Sequence, residues 1–215
     1  MKKTAIILGA TGLTGGILLE KLLEDDTYDK IKLFSRSSVG INSPKIEEFI
    51  IDMFQLETHS ETFKADVVFC CIGTTKSKTP NKDTYKKIDY GIPVAAAKLA
   101  KQNDIKTFIV ISALGASENS NVFYNKTKGE MQRDVLLQKI KNTYILQPSL
   151  IVGDRNESRF GENLAEVFMK VFGFLIPAKY KMIEAETIAE AMRVLSKDGY
   201  SEKIITSEKI KEIVG

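Results

Sequence analysis

Thr4-Ala5-Ile6-Ile7-Leu8-Gly9-Ala10-Thr11-Gly12-Leu13-Thr14-Gly15 is the stretch that decides the fold. A short β-branched, apolar run over 4–8 reads as a strand, and it runs straight into a turn carrying glycine at every third position. From Thr14 to Leu23 the apolar residues Ile17, Leu18, Leu22 and Leu23 recur at helical spacing, so a helix starts at once. Glycine is wanted where a chain turns sharply and where backbone N–H groups must come close to a phosphate. The start of the helix adds unpaired N–H donors and the positive end of its dipole. Strand, turn and helix in this order predict a dinucleotide pyrophosphate held over Gly9, Thr11, Gly12, Leu13, Thr14 and Gly15.

Further strand and helix patterns alternate behind this unit, which predicts βαβ connections and a parallel sheet. Strands are expected at 31–34, 46–51, 67–71, 106–112, 143–147 and 204–205. Helices are expected at 89–102, 122–139 and 187–195, with a further segment at 164–172 and a last helical turn at the end. Asp89 supplies an acidic helix start, and Pro93 falls in the first turn, where a missing N–H costs little. The expected architecture is α/β: one Rossmann-type domain, a doubly wound parallel sheet, with a small substrate-side cap from about 150 to 215.

The end of the second strand distinguishes cofactors. An acidic residue there would hold the ribose 2′-hydroxyl of NADH, whereas arginine accommodates the 2′-phosphate of NADPH. The chain reads Ser35-Arg36-Ser37-Ser38, with no Asp or Glu. NADPH is therefore favoured over NADH, with Arg36 and the serines, Ser37 among them, on the phosphate. Asp52-Met53 follows the third strand, where an Asp can meet the adenine amino group or cap a turn. Ile72, Gly73 and Thr74 follow the fourth strand, beside the same crevice.

Tyr124-Asn125-Lys126-Thr127-Lys128 is a Tyr-x-x-x-Lys on a predicted helix, so phenol and ammonium share one face. A nearby cation lowers a tyrosine's pKa toward working pH and suits proton transfer to a carbonyl oxygen. Tyr28 to Lys32 has the same spacing but runs into the second strand and lacks helical geometry. Ser112, at the end of the fifth strand, is the candidate for polarising a substrate carbonyl; capping the strand end is the competing role.

The remaining composition excludes other classes. A net charge of +3, from 31 basic and 28 acidic residues, is too mild and evenly spread to point to nucleic acid or a membrane. Lys76-Ser77-Lys78 and Lys86-Lys87 read as solvated surface. Cys70 and Cys71 are neighbours on a strand and make a poor disulfide or metal pair. The single histidine, His59, reads as a surface residue, and no metal site is expected. No run reaches the ~18 apolar residues of a membrane span. A cytoplasmic protein is expected, acting on a small carbonyl compound, with a protein partner or homo-oligomer left open.

These motifs together resemble the short-chain dehydrogenase/reductase superfamily in its atypical branch, and more narrowly the Tat-interacting-protein-type oxidoreductases and their bacterial relatives. The resemblance runs nearly end to end. It rests on Gly9 to Gly15, Ser35-Arg36, Cys71 to Thr75, Ile111-Ser112 with Gly115-Ala116, and Tyr124 to Lys128 with Gly129-Glu130. Asp154 to Arg159, followed by Gly161-Glu162, completes it. It implies a proton-transfer role for Tyr124 and a ribose contact for Lys128. It also implies that Ile151 and Arg159, after the sixth strand and its terminating Pro148, face cofactor or substrate; Pro148 is grouped with them. Relatives often carry a second serine where this chain has Ala113. If the polarising group belongs there, a cofactor-binding sensor without turnover gains over a reductase. A sugar-nucleotide epimerase or dehydratase is the third reading, disfavoured by the short C-terminal segment.

Overall fold

The computed structural model describes residues 2–153 and 181–215. Nine strands are named here in chain order: β1 (Lys3–Leu8), β2 (Tyr28–Ser35), β3 (Ile46–Ile50), β4 (Val67–Cys70), β5 (Thr107–Ile111), β6 (Asn142–Gln147), β7 (Ile151–Val152), β8 (Ile183–Glu184) and β9 (Ile204–Thr206). The helices are α1 (Leu13–Glu24), α2 (Lys82–Lys86), α3 (Ile92–Gln102), α4 (Phe123–Leu137), α5 (Ala185–Asp198) and α6 (Ser207–Val214). Seven strands form a parallel sheet in the order β3-β2-β1-β4-β5-β6-β9. This is the expected Rossmann-type arrangement. Strand order reverses between β1 and β4, and in such sheets the crevice at the reversal takes the ligand.

The strands are apolar because helices cover both faces. Side chains alternate across the pleat: Ala5 and Ile7 of β1 pack with Leu18 and Leu22 of α1 and with Ile188 and Met192 of α5. Ile6 and Leu8 point to the other face, with Phe34, Leu56, Leu99 and Met131. Tyr28, from the second Tyr-x-x-x-Lys, is fully buried in β2, and its hydroxyl pairs with Ser196 Oγ at 2.7 Å. Burial pushes its pKa up to about 12. It is a structural tyrosine, so its loss is not neutral for the fold. His59 is half-buried, edge-on to Phe34.

Two departures from the sequence reading shape the site. The helix expected from Asp89 starts earlier, at Lys82, where the Asn81 side chain accepts a bond from the Thr84 N–H at 2.9 Å. It then passes through a π-helical turn, Lys87–Gly91, into α3. Pro93 has no N–H to give the carbonyl four residues back, and a widened turn absorbs that loss. Asp89 sits inside this turn and is buried. Near the C-terminus, β9 joins the main sheet beside β6, α5 packs on α1, and β7 pairs with β8. The segment 164–172, like the rest of the cap between 154 and 180, lies outside the described residues.

Asp25 ties α1 to α5. Its carboxylate accepts the Thr27 N–H at 2.9 Å, Arg193 Nη1 at 2.8 Å and Lys197 Nζ at 3.1 Å, and its side chain is 8% exposed. Burial raises its pKa, but these donors outweigh it and hold the carboxyl well below the usual range. A pKa below the unfolded value of 3.8 gives stability that is complete above that value and is lost as pH falls beneath it. Asp25→Asn is expected to cost about 1.5–3 kcal/mol at neutral pH. Denaturant titrations between about pH 6 and about pH 2 should show a shallower acid loss for the variant; equal acid profiles would remove Asp25 from this role.

Candidate functional site

The glycine turn divides into positions that build the fold and one that faces a ligand. Gly9 has φ +89°, and a Cβ there would lie 3.0 Å from the Cys71 carbonyl oxygen. A Cβ on Gly15 would overlap the Gly9 carbonyl, so α1 presses backbone to backbone on the turn. Gly12 has ordinary extended geometry, and its Cβ would meet only the Gly9 carbonyl oxygen, at 3.3 Å. Gly12 is the N-cap of α1, with no side chain capping the helix and no acidic residue in the first turn. Unpaired backbone donors therefore remain at this helix start, and Thr11, Gly12, Leu13 and Thr14 line a cleft of about 1310 Å³. That donor set, with space beside it, fits a pyrophosphate.

The same cleft is lined by Ile72, Gly73 and Thr74 after β4, by Ser112 after β5, by Tyr124 and Lys128 on α4, and by Pro148 and Ile151 after β6. Helix α4 repeats at i, i+4, i+8, so Tyr124, Lys128 and Gln132 share one face. Lys128 is 3% exposed. Its ammonium lies 2.9 Å from Asp89 Oδ1 and 3.4 Å from the Ile111 carbonyl. Asp89 is 1% exposed, and its Oδ2 accepts the Thr74 N–H at 2.8 Å. A Cβ on Gly73 would come 3.7 Å from Asp89 and 3.9 Å from Lys128, so the bare backbone there keeps the pair open to the cleft.

The sequence expectation of a lowered tyrosine pKa is corrected. Desolvation raises the Tyr124 pKa, Lys128 lowers it, and Asp89 raises it; the net shift is upward from 10.0. Lys128 is already paired, and its pull on the phenol is opposed by its own counterion. Ser112 Oγ accepts from Gln132 Nε2 at 2.6 Å, and Gln132 Oε1 accepts from Gln147 Nε2 at 3.1 Å. The serine oxygen is thus held from behind while its own O–H is free to donate.

Asp89, Gln132 and Tyr85 were not singled out from the sequence. Tyr85 lines the cleft, donates to the Thr74 carbonyl at 3.2 Å and stands edge-on to Tyr124 at 6.4 Å. A Tyr-x-x-x-Lys-x-x-x-Gln spacing was the signal for Gln132; nothing local marked Asp89, whose burial comes from the π turn.

The remaining candidates lie elsewhere. Arg36 and Ser37 are exposed at the end of β2, outside the walls of this cleft. Ser38 donates to Glu48 at 2.6 Å, so that serine is already engaged, and an acidic residue does stand near the loop, contributed by β3. Asp52 caps the 3-10 helix Met53–His59 by accepting the Phe54 N–H at 2.9 Å. Met53 is buried in the core. Arg159 lies outside the described residues.

Residues 9–151 match the NAD(P)H-binding family. Protein FMP52, mitochondrial, of Meyerozyma guilliermondii is 35% identical over 206 residues, covering 89% of this chain and 86% of that protein. Protein HTATIP2 of Rattus norvegicus is 32% identical over 170 residues, covering 77% of this chain and 70% of that protein. Among solved structures, the Bordetella bronchiseptica enzyme WbmG in complex with NAD superposes with a TM-score of 0.71. It is 12% identical and covers 100% of this chain and 77% of its own, a likeness of fold. The expected cytoplasmic location is overturned, since the FMP52 relatives are named as mitochondrial. With a glycine turn, an uncapped helix start and a Tyr-x-x-x-Lys around one cleft, this chain belongs to the NAD(P)H-binding family as an atypical, short-chain dehydrogenase/reductase-like member.

Proposed function

We propose that this protein uses NADPH to reduce a small carbonyl compound, with Tyr124 as the proton donor. The observation that supports it is a single cleft lined both by the start of α1 and by Tyr124 with Lys128. When bound, the reduced nicotinamide supplies a hydride to the carbonyl carbon and is left oxidised. Tyr124 gives its phenolic proton to the carbonyl oxygen, which becomes the alcohol, and the phenolate is reprotonated from solvent. A raised pKa suits this direction, because the proton is present at neutral pH. Ser112 donates its O–H to the same oxygen and polarises it. Lys128, paired with Asp89, would carry the ribose hydroxyls and steady the developing phenolate. Arg36 meets the 2′-phosphate. In this reading Asp52 has a structural role, capping a turn.

Ala113 favours a second reading, a cofactor-binding sensor without turnover. In that case NADPH is bound and no carbonyl in a broad panel is consumed.

Three outcomes test these assignments. Arg36→Ala should weaken NADPH roughly ten- to a hundredfold, the loss of a charge-assisted contact of ~1.5–3 kcal/mol, and leave NADH unchanged. Equal native affinity for the two cofactors would overturn the preference. Gly12→Val should fold and lose NADPH binding by calorimetry, because its Cβ asks the Gly9 carbonyl oxygen, 3.3 Å away, to give by only a few tenths of an ångström while its side chain occupies the pyrophosphate's approach; undiminished binding would reassign the turn. Tyr124→Phe should bind NADPH normally and lose about 10²–10⁴-fold in rate, while Lys128→Met should lose both. The native rate should hold through neutral pH and fall only in strongly alkaline solution, because desolvation raises the pKa of the phenol. An unchanged Tyr124→Phe rate would pass the proton to another donor.

A further inference from the structure

Lys76-Ser77-Lys78 is exposed, as read from sequence, and its two lysines, with the exposed Lys82, stand at the wall of the open cleft. With Lys128 that makes four lysines against one carboxylate, Asp89, among the described lining residues. Asp89 is taken up by Lys128. Leaving Lys78 aside, Lys76 and Lys82 carry positive charge within the stretch 74–82. Among those described, no carboxylate pairs with Lys76 or Lys82.

The loop is ordered by its own hydroxyls. Thr74 Oγ1 and Thr79 Oγ1 pair at 2.8 Å, and the Thr79 N–H donates to the Thr75 carbonyl at 2.8 Å. Tyr85 fastens its base to α2 through the Thr74 carbonyl. Its far end is fastened to α4: the Lys82 ammonium stands 5.6 Å over the Phe123 ring, and Tyr85 is edge-on to both Phe123 and Tyr124. Lys82 thus stands over Phe123, the chain neighbour of Tyr124 on α4. The pyrophosphate cradle of α1 opens on the β1 side. An ammonium over an aromatic face keeps its outer hemisphere for an anion. The same cleft also exposes apolar side chains: Val122 is 58% exposed and Leu150 51%.

We propose that the carbonyl substrate is an anion with an apolar body, its carboxylate or phosphate held by Lys82 and Lys76 while its carbonyl faces Tyr124. The inference rests on the reductase reading of the same cleft and adds the substrate class. A cleft carrying one sign of charge between low-dielectric walls draws in opposite charge and does so less at high salt.

The test uses the NADPH-loaded protein. Consumption of NADPH is compared for aryl 2-oxo acids and their methyl esters. Calorimetry compares phenylacetate, phenyl phosphate and phenylacetamide as non-reacting probes. The acids should exceed the esters by about tenfold in kcat/KM, an advantage that shrinks with added salt. Both anions should bind more tightly than the amide, and the tighter of the two identifies the head group. Lys76→Met with Lys82→Met should erase these preferences and leave NADPH affinity unchanged. Esters turned over as well as acids would overturn the anion inference and leave the reductase reading standing. Anions bound in preference to the amide, with no compound consumed, would overturn the reductase reading and keep the anion site. A parallel loss of NADPH affinity in the double variant would assign the lysines to the cofactor's phosphates and overturn the proposal.

Discussion

The buried pair of Asp89 and Lys128 is the contact on which the centre of the molecule turns. Two ions out of water cost several kcal/mol each before their attraction is counted, so such a pair persists only where both are further hydrogen-bonded. Here the aspartate takes the Thr74 N–H and the lysine the Ile111 carbonyl. Those four residues come from four segments: the loop after β4, the π turn before α3, the end of β5, and α4. The pair therefore fixes how α4 sits over the sheet reversal, and with it where Tyr124 stands. It also sets the electrostatics, because the lysine reaches the phenol as half of a dipole rather than as a free cation.

The glycine turn, the parallel sheet and the shared face of Tyr124 and Lys128 were legible because each is local. Glycine at 9, 12 and 15, and a spacing of four on a helix, carry their geometry within a few residues. The Asp89 contact was not legible: its partners lie 15 and 39 positions away, and it reaches them from within a π-helical turn that nothing in its neighbourhood of the sequence announces. Asp89 in the sequence looks like an ordinary helix-start acid. Asp52 shows the converse, since a residue placed correctly after β3 spends its carboxylate on its own backbone.

Tyr28 and Tyr124 show why a motif needs its surroundings. Both have lysine four residues on. In β2 a register shift after Tyr28 leaves the tyrosine on the face of Ile31 and Leu33 while Lys32 falls on the face of Phe34, and the tyrosine is sealed in the core against Ser196. On α4 the same letters open into a cleft. The lysines of the 74–82 stretch are solvated, as a charge run usually is, and what the sequence does not show is that Tyr85 and Phe123 anchor this stretch at the wall of the cleft.

Gly129, next to Lys128, has no room for a side chain, because a Cβ there would overlap the backbone of Ser117 and Glu118. Helix α4 rests on that segment at bare backbone distance. The glycine is therefore a depth gauge: it sets how far the helix sinks, and so how far the neighbouring lysine reaches toward the floor of the sheet. A methyl group at 129 would lift the whole face, moving phenol, ammonium and Gln132 together without altering any of them.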